Sequence, residues 1–107
     1  LTKGKIDKGE TPIETAAREL KEEIGYGSNK LTFLKTITLA PGYQSSETHI
    51  VLAEDLYEEY ADGDEPEPLE IVAHKLSDLE KLTYREDLTE ARSILALYMV
   101  RDIIRSR

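Results

Sequence analysis

The sequence contains no cysteine. Neither a disulfide framework nor a thiolate metal site is available, and nothing points to an oxidising compartment. Long apolar runs are also missing: no stretch approaches the roughly 18 residues of a membrane span. The opening LTKGKIDKGE lacks the apolar core of a signal peptide, which makes the cytoplasm the expected location. Positive charge is scarce as well. Fourteen basic against 22 acidic residues leave a net charge of −8, which repels nucleic-acid backbones and anionic membranes unless a cation intervenes. No nucleic-acid or membrane partner is therefore expected. What is present, 107 residues with 39% hydrophobic content, is enough for one modest core, and residues 1–107 read as a single domain.

The best-punctuated element is GETPIETAARELKEEIGY, residues 9–26. Thr11 is an N-cap candidate, Pro12 suits the first turn, Glu14 completes a Thr-x-x-Glu capping box, and Gly25 supplies the stop. At about 100° per residue, Ile13, Ala16, Ala17, Leu20 and Ile24 form one stripe that should face a core. Glu19 and Glu22 fall on the far side, with Glu23 at the flank. Residues 31–39 and 48–54 read as strands separated by the turn-rich APGYQSSE, and 69–75 as a third strand. Ser77 with Glu80 suggests a short capped helix, and 89–105 a final helix capped by Thr89. The acidic EDLYEEYADGDEPEP, residues 54–68, reads as a loop because of its glycine and prolines. His49 and His74 lie in strand-like stretches and read as structural residues rather than bases.

The crowding of Glu19, Glu22 and Glu23 needs a reason. Like charges three or four residues apart each cost roughly 0.2–0.5 kcal/mol, and carboxylates near a helix C-terminus oppose the macrodipole. One account is a solvated acidic face relieved by Lys21 and Arg18. The other is a bound divalent cation, since Mg²⁺ prefers a few carboxylates together with waters and substrate phosphates.

Spacing separates the two accounts. Gly4, Glu10, Arg18, Glu19, Leu20, Glu22, Glu23, Gly25 and Tyr26 follow the pattern Gly-x5-Glu-x7-Arg-Glu-U-x-Glu-Glu-x-Gly-U, where U is a bulky apolar residue. All seven positions of fixed identity match, and chance agreement is on the order of one in 10⁷ per starting point. Only Tyr26 departs, being aromatic where an aliphatic residue is usual. The stretch resembles the Nudix box. That resemblance implies an α/β fold, an α/β/α sandwich with a mixed sheet, and hydrolysis of a nucleoside diphosphate linked to another moiety. It further implies Mg²⁺, or Mn²⁺ in its place, held by Glu19, Glu22 and Glu23 with a backbone carbonyl near Gly4. Glu10 and Arg18 are similar to the structural pair of the box, in which the arginine orients a glutamate through a charged hydrogen bond; Glu14 or Glu22 is the plainer partner for that arginine. A pyrophosphate would be repelled by an acidic site without such ions, and a metal-acidified water removes the need for a nucleophilic Ser or Cys.

Nearly the whole chain is similar to the ADP-sugar branch of that family, through GKIDKGE, LKEEIGYGSNKLTFLK, LAPGYQSSE and the later GDEPEPL. In that branch a proline about fifteen positions past the box accompanies ADP-ribose hydrolysis, and a tyrosine slightly further on accompanies dinucleoside polyphosphate hydrolysis. Pro41 and Tyr43 match both marks, although a Pro-Gly-Tyr turn is also an ordinary hairpin connection. Glu47, at the end of that loop, either approaches substrate or begins a strand. The branch draws its general base from an acidic loop downstream of the box. By that resemblance Glu65 is the expected base, with Glu19 as the alternative, and Glu67 an auxiliary metal ligand. The expected function is Mg²⁺-dependent cleavage of ADP-ribose and related ADP compounds to AMP and a phosphorylated remainder. The alternatives are a dinucleoside polyphosphate or nucleotide-sanitising hydrolase, and a non-catalytic Nudix-like module that binds nucleotides or a protein. Only three residues precede Gly4, whereas the box ordinarily follows several strands. Those strands are expected to lie elsewhere, on a longer chain or on a second one, and to supply much of the adenine pocket and a homodimer interface.

Overall fold

The computed structural model describes residues 1–39, 46–59 and 73–107. They fall into two compact units, Leu1–Ile71 and Val72–Arg107.

The first unit begins with the box segment and helix α1, Pro12–Ile24. Its start is the expected capping box. Glu14 N–H donates to Thr11 Oγ1 at 3.2 Å, and Thr11 N–H donates back to Glu14 Oε1 at 3.2 Å. Its end is the expected glycine stop: Gly25 adopts φ 72°, ψ 33°, and its N–H reaches Lys21 O at 3.0 Å. Of the apolar stripe, Leu20 is buried, while Ile13, Ala16, Ala17 and Ile24 are half-buried.

Strands β1, Tyr26–Thr38, and β2, Glu47–Glu58, pair antiparallel, from Tyr26 opposite Glu58 to Thr38 opposite Glu47, with an irregularity between Phe33 and Lys35. Helix α1 packs mainly on β1, and Ile50 of β2 is a buried apolar strand residue in this unit's core. Both strands extend beyond the ranges read from sequence. Residues 26–30 have turn-like composition, but cross-strand pairing satisfies their backbone groups as far as Tyr26.

The second unit contains a 3₁₀ turn, Leu76–Asp78, then α2, Leu79–Thr83, and α3, Ala91–Arg105. Leu79 and Leu97 are its buried apolar residues, and α2 packs on α3. Three expectations change here. The N-cap of α3 is Glu90, whose side chain accepts from Ser93 N–H at 2.7 Å, one residue past Thr89. Ser77 caps nothing, because it lies inside the 3₁₀ turn and Asp78 precedes α2 without a side-chain cap bond. Residues 73–75, the described part of the expected third strand, have no strand structure. Among the described residues no helix is long and apolar enough to cross a membrane.

Candidate active site

The site grows from Arg18, half-way along α1. Its guanidinium grips Glu10 with two parallel bonds, Nε to Oε2 at 2.9 Å and Nη2 to Oε1 at 3.0 Å, the fork geometry that a lysine cannot reproduce. Glu10 Oε1 also accepts from Asp7 N–H at 2.8 Å and from the Thr15 hydroxyl at 3.2 Å. The Arg18 guanidinium, aided by those donors, holds the Glu10 carboxyl down at about 2. In return Glu10 pushes the already high Arg18 pKa further up.

The remaining donors of Arg18 reach the other box residues. Nη1 donates to Glu19 Oε1 at 2.8 Å and to Glu22 Oε2 at 3.1 Å, and Nη2 donates to the Lys5 carbonyl at 2.8 Å. Asp7 Oδ2 lies 3.5 Å from Nη2. One guanidinium thus faces four carboxylates, those of Asp7, Glu10, Glu19 and Glu22, and three negative charges are left over around it. The side chains of Glu19 and Glu10 are only 14% and 20% exposed, so water screens those two poorly, whereas Glu22 and Asp7 are open at 41% and 70%.

Gly4 is laid directly on this cluster. A Cβ on Gly4 would fall inside the Glu19 carboxylate, so only a glycine lets the backbone of the box loop approach that side chain so closely. Its missing side chain, and two carboxylates already sharing one cationic nitrogen, suit a divalent ion: Glu19 and Glu22 have hard oxygens pointing the same way, with the Gly4 backbone alongside. Among the described residues no three acidic or histidine side chains are gathered as ligands around one point. Arg18 Nη1 takes the position between Glu19 and Glu22, and Glu23 is engaged in a contact of its own.

The structure separates Lys21 from the box glutamates. Its Nζ pairs with Glu59 Oε1 at 3.2 Å, whereas Glu19 and Glu22 pair with Arg18. Lys21 lies two residues from both Glu19 and Glu23, about 160° around the helix from each. The Arg18 partners divide as well: Glu10 and Glu22 both bind it, while Glu14 serves the capping box. Thr15, Asp7 and the Lys5 carbonyl belong to the cluster without having been legible in sequence. Thr15 lies opposite the apolar stripe and is buried all the same, held by its bond to Glu10 in the segment before the helix.

Glu47 is the first residue of β2, exposed and paired in register with Thr38. Pro41, Tyr43, Glu65 and Glu67 lie outside the described residues. His49 Nδ1 bonds the Thr36 hydroxyl at 2.7 Å across the hairpin, and His74 is exposed.

Comparisons with known proteins show the family to which the chain belongs. A family model described as NUDIX domain matches residues 1–98. The chain is 49% identical over 107 residues to the ADP compounds hydrolase of Escherichia coli, covering all of this chain and 58% of that protein. It is 38% identical over 96 residues to the ADP-ribose pyrophosphatase of Bacillus subtilis, covering 88% of this chain and 52% of that protein. A crystal structure of an ADP compounds hydrolase, 50% identical, superposes with a TM-score of 0.85 over 94% of this chain and 55% of that one. The chain spans a little over half the length of these relatives. The chain belongs to the Nudix domain family and has its α/β fold.

Proposed function

We propose that the full-length protein is a Mg²⁺-dependent pyrophosphohydrolase, with Mn²⁺ able to substitute, acting on ADP-ribose and related ADP compounds. Water adds to one phosphorus of the pyrophosphate, the bridging P–O bond breaks, and the products are AMP and a phosphorylated remainder. The observation that carries the reading is the cluster of four carboxylates around Arg18 with Gly4 against Glu19. Such an excess of negative charge suits an anionic substrate only through a cation.

Glu19, Glu22, Glu23 and the backbone at Gly4 would hold the metal, with Glu67 as an auxiliary ligand. When bound, the metal supplies charge neutralisation at the phosphates and an acidified water. Arg18 orients Glu19 and Glu22 through Nη1 while Glu10 fixes the guanidinium from behind. Glu65 takes the proton of the attacking water, and Glu19 is the fallback for that role. Pro41, Tyr43 and Glu47 contact the substrate. The identity to an ADP compounds hydrolase and an ADP-ribose pyrophosphatase supports the ADP-X substrate class over nucleoside triphosphates.

The test is AMP release by the full-length protein with Mg²⁺, from ADP-ribose, NADH and diadenosine triphosphate, set against nucleoside triphosphates. ADP-ribose should be hydrolysed faster than any triphosphate. Triphosphates preferred by roughly tenfold or more in kcat/KM, about 1.4 kcal/mol in transition-state binding, would overturn the substrate assignment. The base assignment is read by Glu65→Gln and Glu67→Gln side by side. Glu65→Gln should lower kcat by roughly 10² or more with little change in KM, and a fall of less than about threefold in both variants moves the base to Glu19.

A further inference from the structure

Glu22 and Glu23 lie in the last turn of α1, and helix ends fray unless something holds them. Here the last turn is closed by a circuit of three bonds. Gly25 N–H donates to Lys21 O at 3.0 Å, Glu59 N–H donates to Gly25 O at 2.8 Å, and Lys21 Nζ pairs with Glu59 Oε1 at 3.2 Å. The circuit ties the helix end to the end of β2, which stops at Glu58. Two further features fix the Glu59 carboxylate. The Tyr57 hydroxyl donates to it, which pushes the Tyr57 pKa up. Gly27 faces both side chains, so that a Cβ there would lie 2.5 Å from Tyr57 Cζ and 2.6 Å from Glu59 Oε2. Any residue other than glycine at 27 would have to displace the ring or the carboxylate.

We infer that Lys21 and Glu59 form a positioning clamp for the last turn of α1, holding Glu22 and Glu23 in the direction that cation binding requires. This rests on the hydrolase reading above, through its assignment of those glutamates. The pair is 37% and 38% exposed at its two side chains, so an isolated ion pair there would do little. Its effect comes from closing a circuit already made of two backbone hydrogen bonds. Lys21 pairs with Glu59 while Glu19 and Glu22 pair with Arg18, and Lys21 points away from Glu19 and Glu23. The clamp therefore acts through the helix backbone, at longer range than a ligand's own hydrogen-bond partner.

Electrostatics and positioning predict opposite signs for one variant. If Lys21 acted only by its charge, Lys21→Met would remove a cation near an acidic site and tighten metal binding, while Glu59→Gln would weaken it and the double variant would return to normal. A clamp predicts that both single variants weaken binding and that the double variant is no worse than the weaker single one, because each removes the charge pair that closes the circuit, glutamine keeping only an uncharged bond to Lys21.

The experiment is Mn²⁺ titration of the full-length protein without substrate, followed by electron paramagnetic resonance, for the natural protein, Lys21→Met, Glu59→Gln, the double variant and Lys21→Arg. All are compared below their melting temperatures. Lys21→Met and Glu59→Gln should each raise the Mn²⁺ Kd by about three- to tenfold, at or below the low end of effects seen for residues that orient metal ligands. Lys21→Arg, which keeps the pair, should stay within about twofold of the natural protein. Unchanged or tighter binding in Lys21→Met overturns the clamp, as does a loss in Lys21→Arg equal to that in Lys21→Met. If the natural protein binds no Mn²⁺, the hydrolase reading fails and the clamp with it; binding by the natural protein with no coupling between Lys21 and Glu59 defeats the clamp alone.

Discussion

Arg18 and Glu10, eight residues apart, meet in a two-bond fork at 2.9 and 3.0 Å, and the fork joins the box loop to the middle of α1. Two short segments are thereby held in one geometry before any ligand arrives. The loop places Gly4 on Glu19, and the helix places Glu19 and Glu22 on one nitrogen of the same arginine. Glu10 serves as the anchor of the cluster, spending its oxygens on Arg18, Asp7 N–H and the Thr15 hydroxyl.

That anchoring should be visible in acid. The Glu10 carboxyl is held at about 2 in the folded protein against an ordinary 4.5. A group whose folded pKa is depressed contributes stability that is complete above its unfolded pKa and is lost as pH falls toward the folded one. Glu10→Gln should therefore lower the melting temperature by a constant amount at pH 6–8, and its deficit should shrink as pH falls from about 4.5 toward about 2. Thermal melts of both proteins across that range check it, and a deficit that does not change with pH would show that Glu10 acts through shape rather than charge.

The two ends of α1 give a second expectation. Thr11→Ala removes the side-chain acceptor of the capping box and should destabilise by about 1 kcal/mol. Gly25→Ala places a Cβ at φ 72° and should cost about 1–2 kcal/mol. Denaturant unfolding of the full-length protein reads both. Because Gly25 also closes the circuit to Glu59, Gly25→Ala should weaken Mn²⁺ binding as well, whereas Thr11→Ala should leave it within about twofold.

These ends were legible in sequence because capping is local: Thr11, Pro12, Glu14 and Gly25 each carry their signal within four residues of their partner. The strands were legible as elements but not in extent. Residues 26–30 look like a turn, and only pairing with residues 54–58, across the hairpin, makes them strand. The cap of α3 slipped by one residue because Thr89 and Glu90 are both able to accept from the first turn, and the choice depends on where Ser93 N–H points. At the site, the resemblance carried by the residues from Gly4 to Tyr26 implied the pairing of Arg18 with Glu10. It carried no information about the destination of Lys21, whose partner Glu59 lies 38 residues away, or about Thr15, buried by the segment before the helix.

Gly4 offers a test of the loop half of the site. An added methyl group would occupy the volume of the Glu19 carboxylate, so either that side chain or the loop backbone must shift. Gly4 is exposed, so the global fold should survive. Gly4→Ala is expected to lower kcat/KM for ADP-ribose and to raise the Mn²⁺ Kd, each by about tenfold or more, with a melting temperature close to that of the natural protein. Normal Mn²⁺ binding in Gly4→Ala would separate Glu19 from the metal.

Glu22 decides whether the acidic cluster serves chemistry or is only a solvated face. Its Oε2 accepts from Arg18 Nη1 at 3.1 Å, and its side chain is 41% exposed, the most open of the three glutamates paired with Arg18. A glutamine at this position keeps an oxygen for that bond and loses the charge. Without metal, the loss should be neutral or slightly stabilising, since Glu19 and Glu22 repel each other three residues apart and Glu22 opposes the helix macrodipole, effects of roughly 0.2–0.5 kcal/mol each. With metal, the same loss removes a hard anionic ligand, and kcat should fall by roughly 10² or more. Glu23→Gln should behave alike. The opposed directions, unchanged or higher stability with much lower activity, are what a face retained for a cation predicts. Near-normal turnover of ADP-ribose in both variants would return Glu19, Glu22 and Glu23 to the role of surface charges relieved by Arg18.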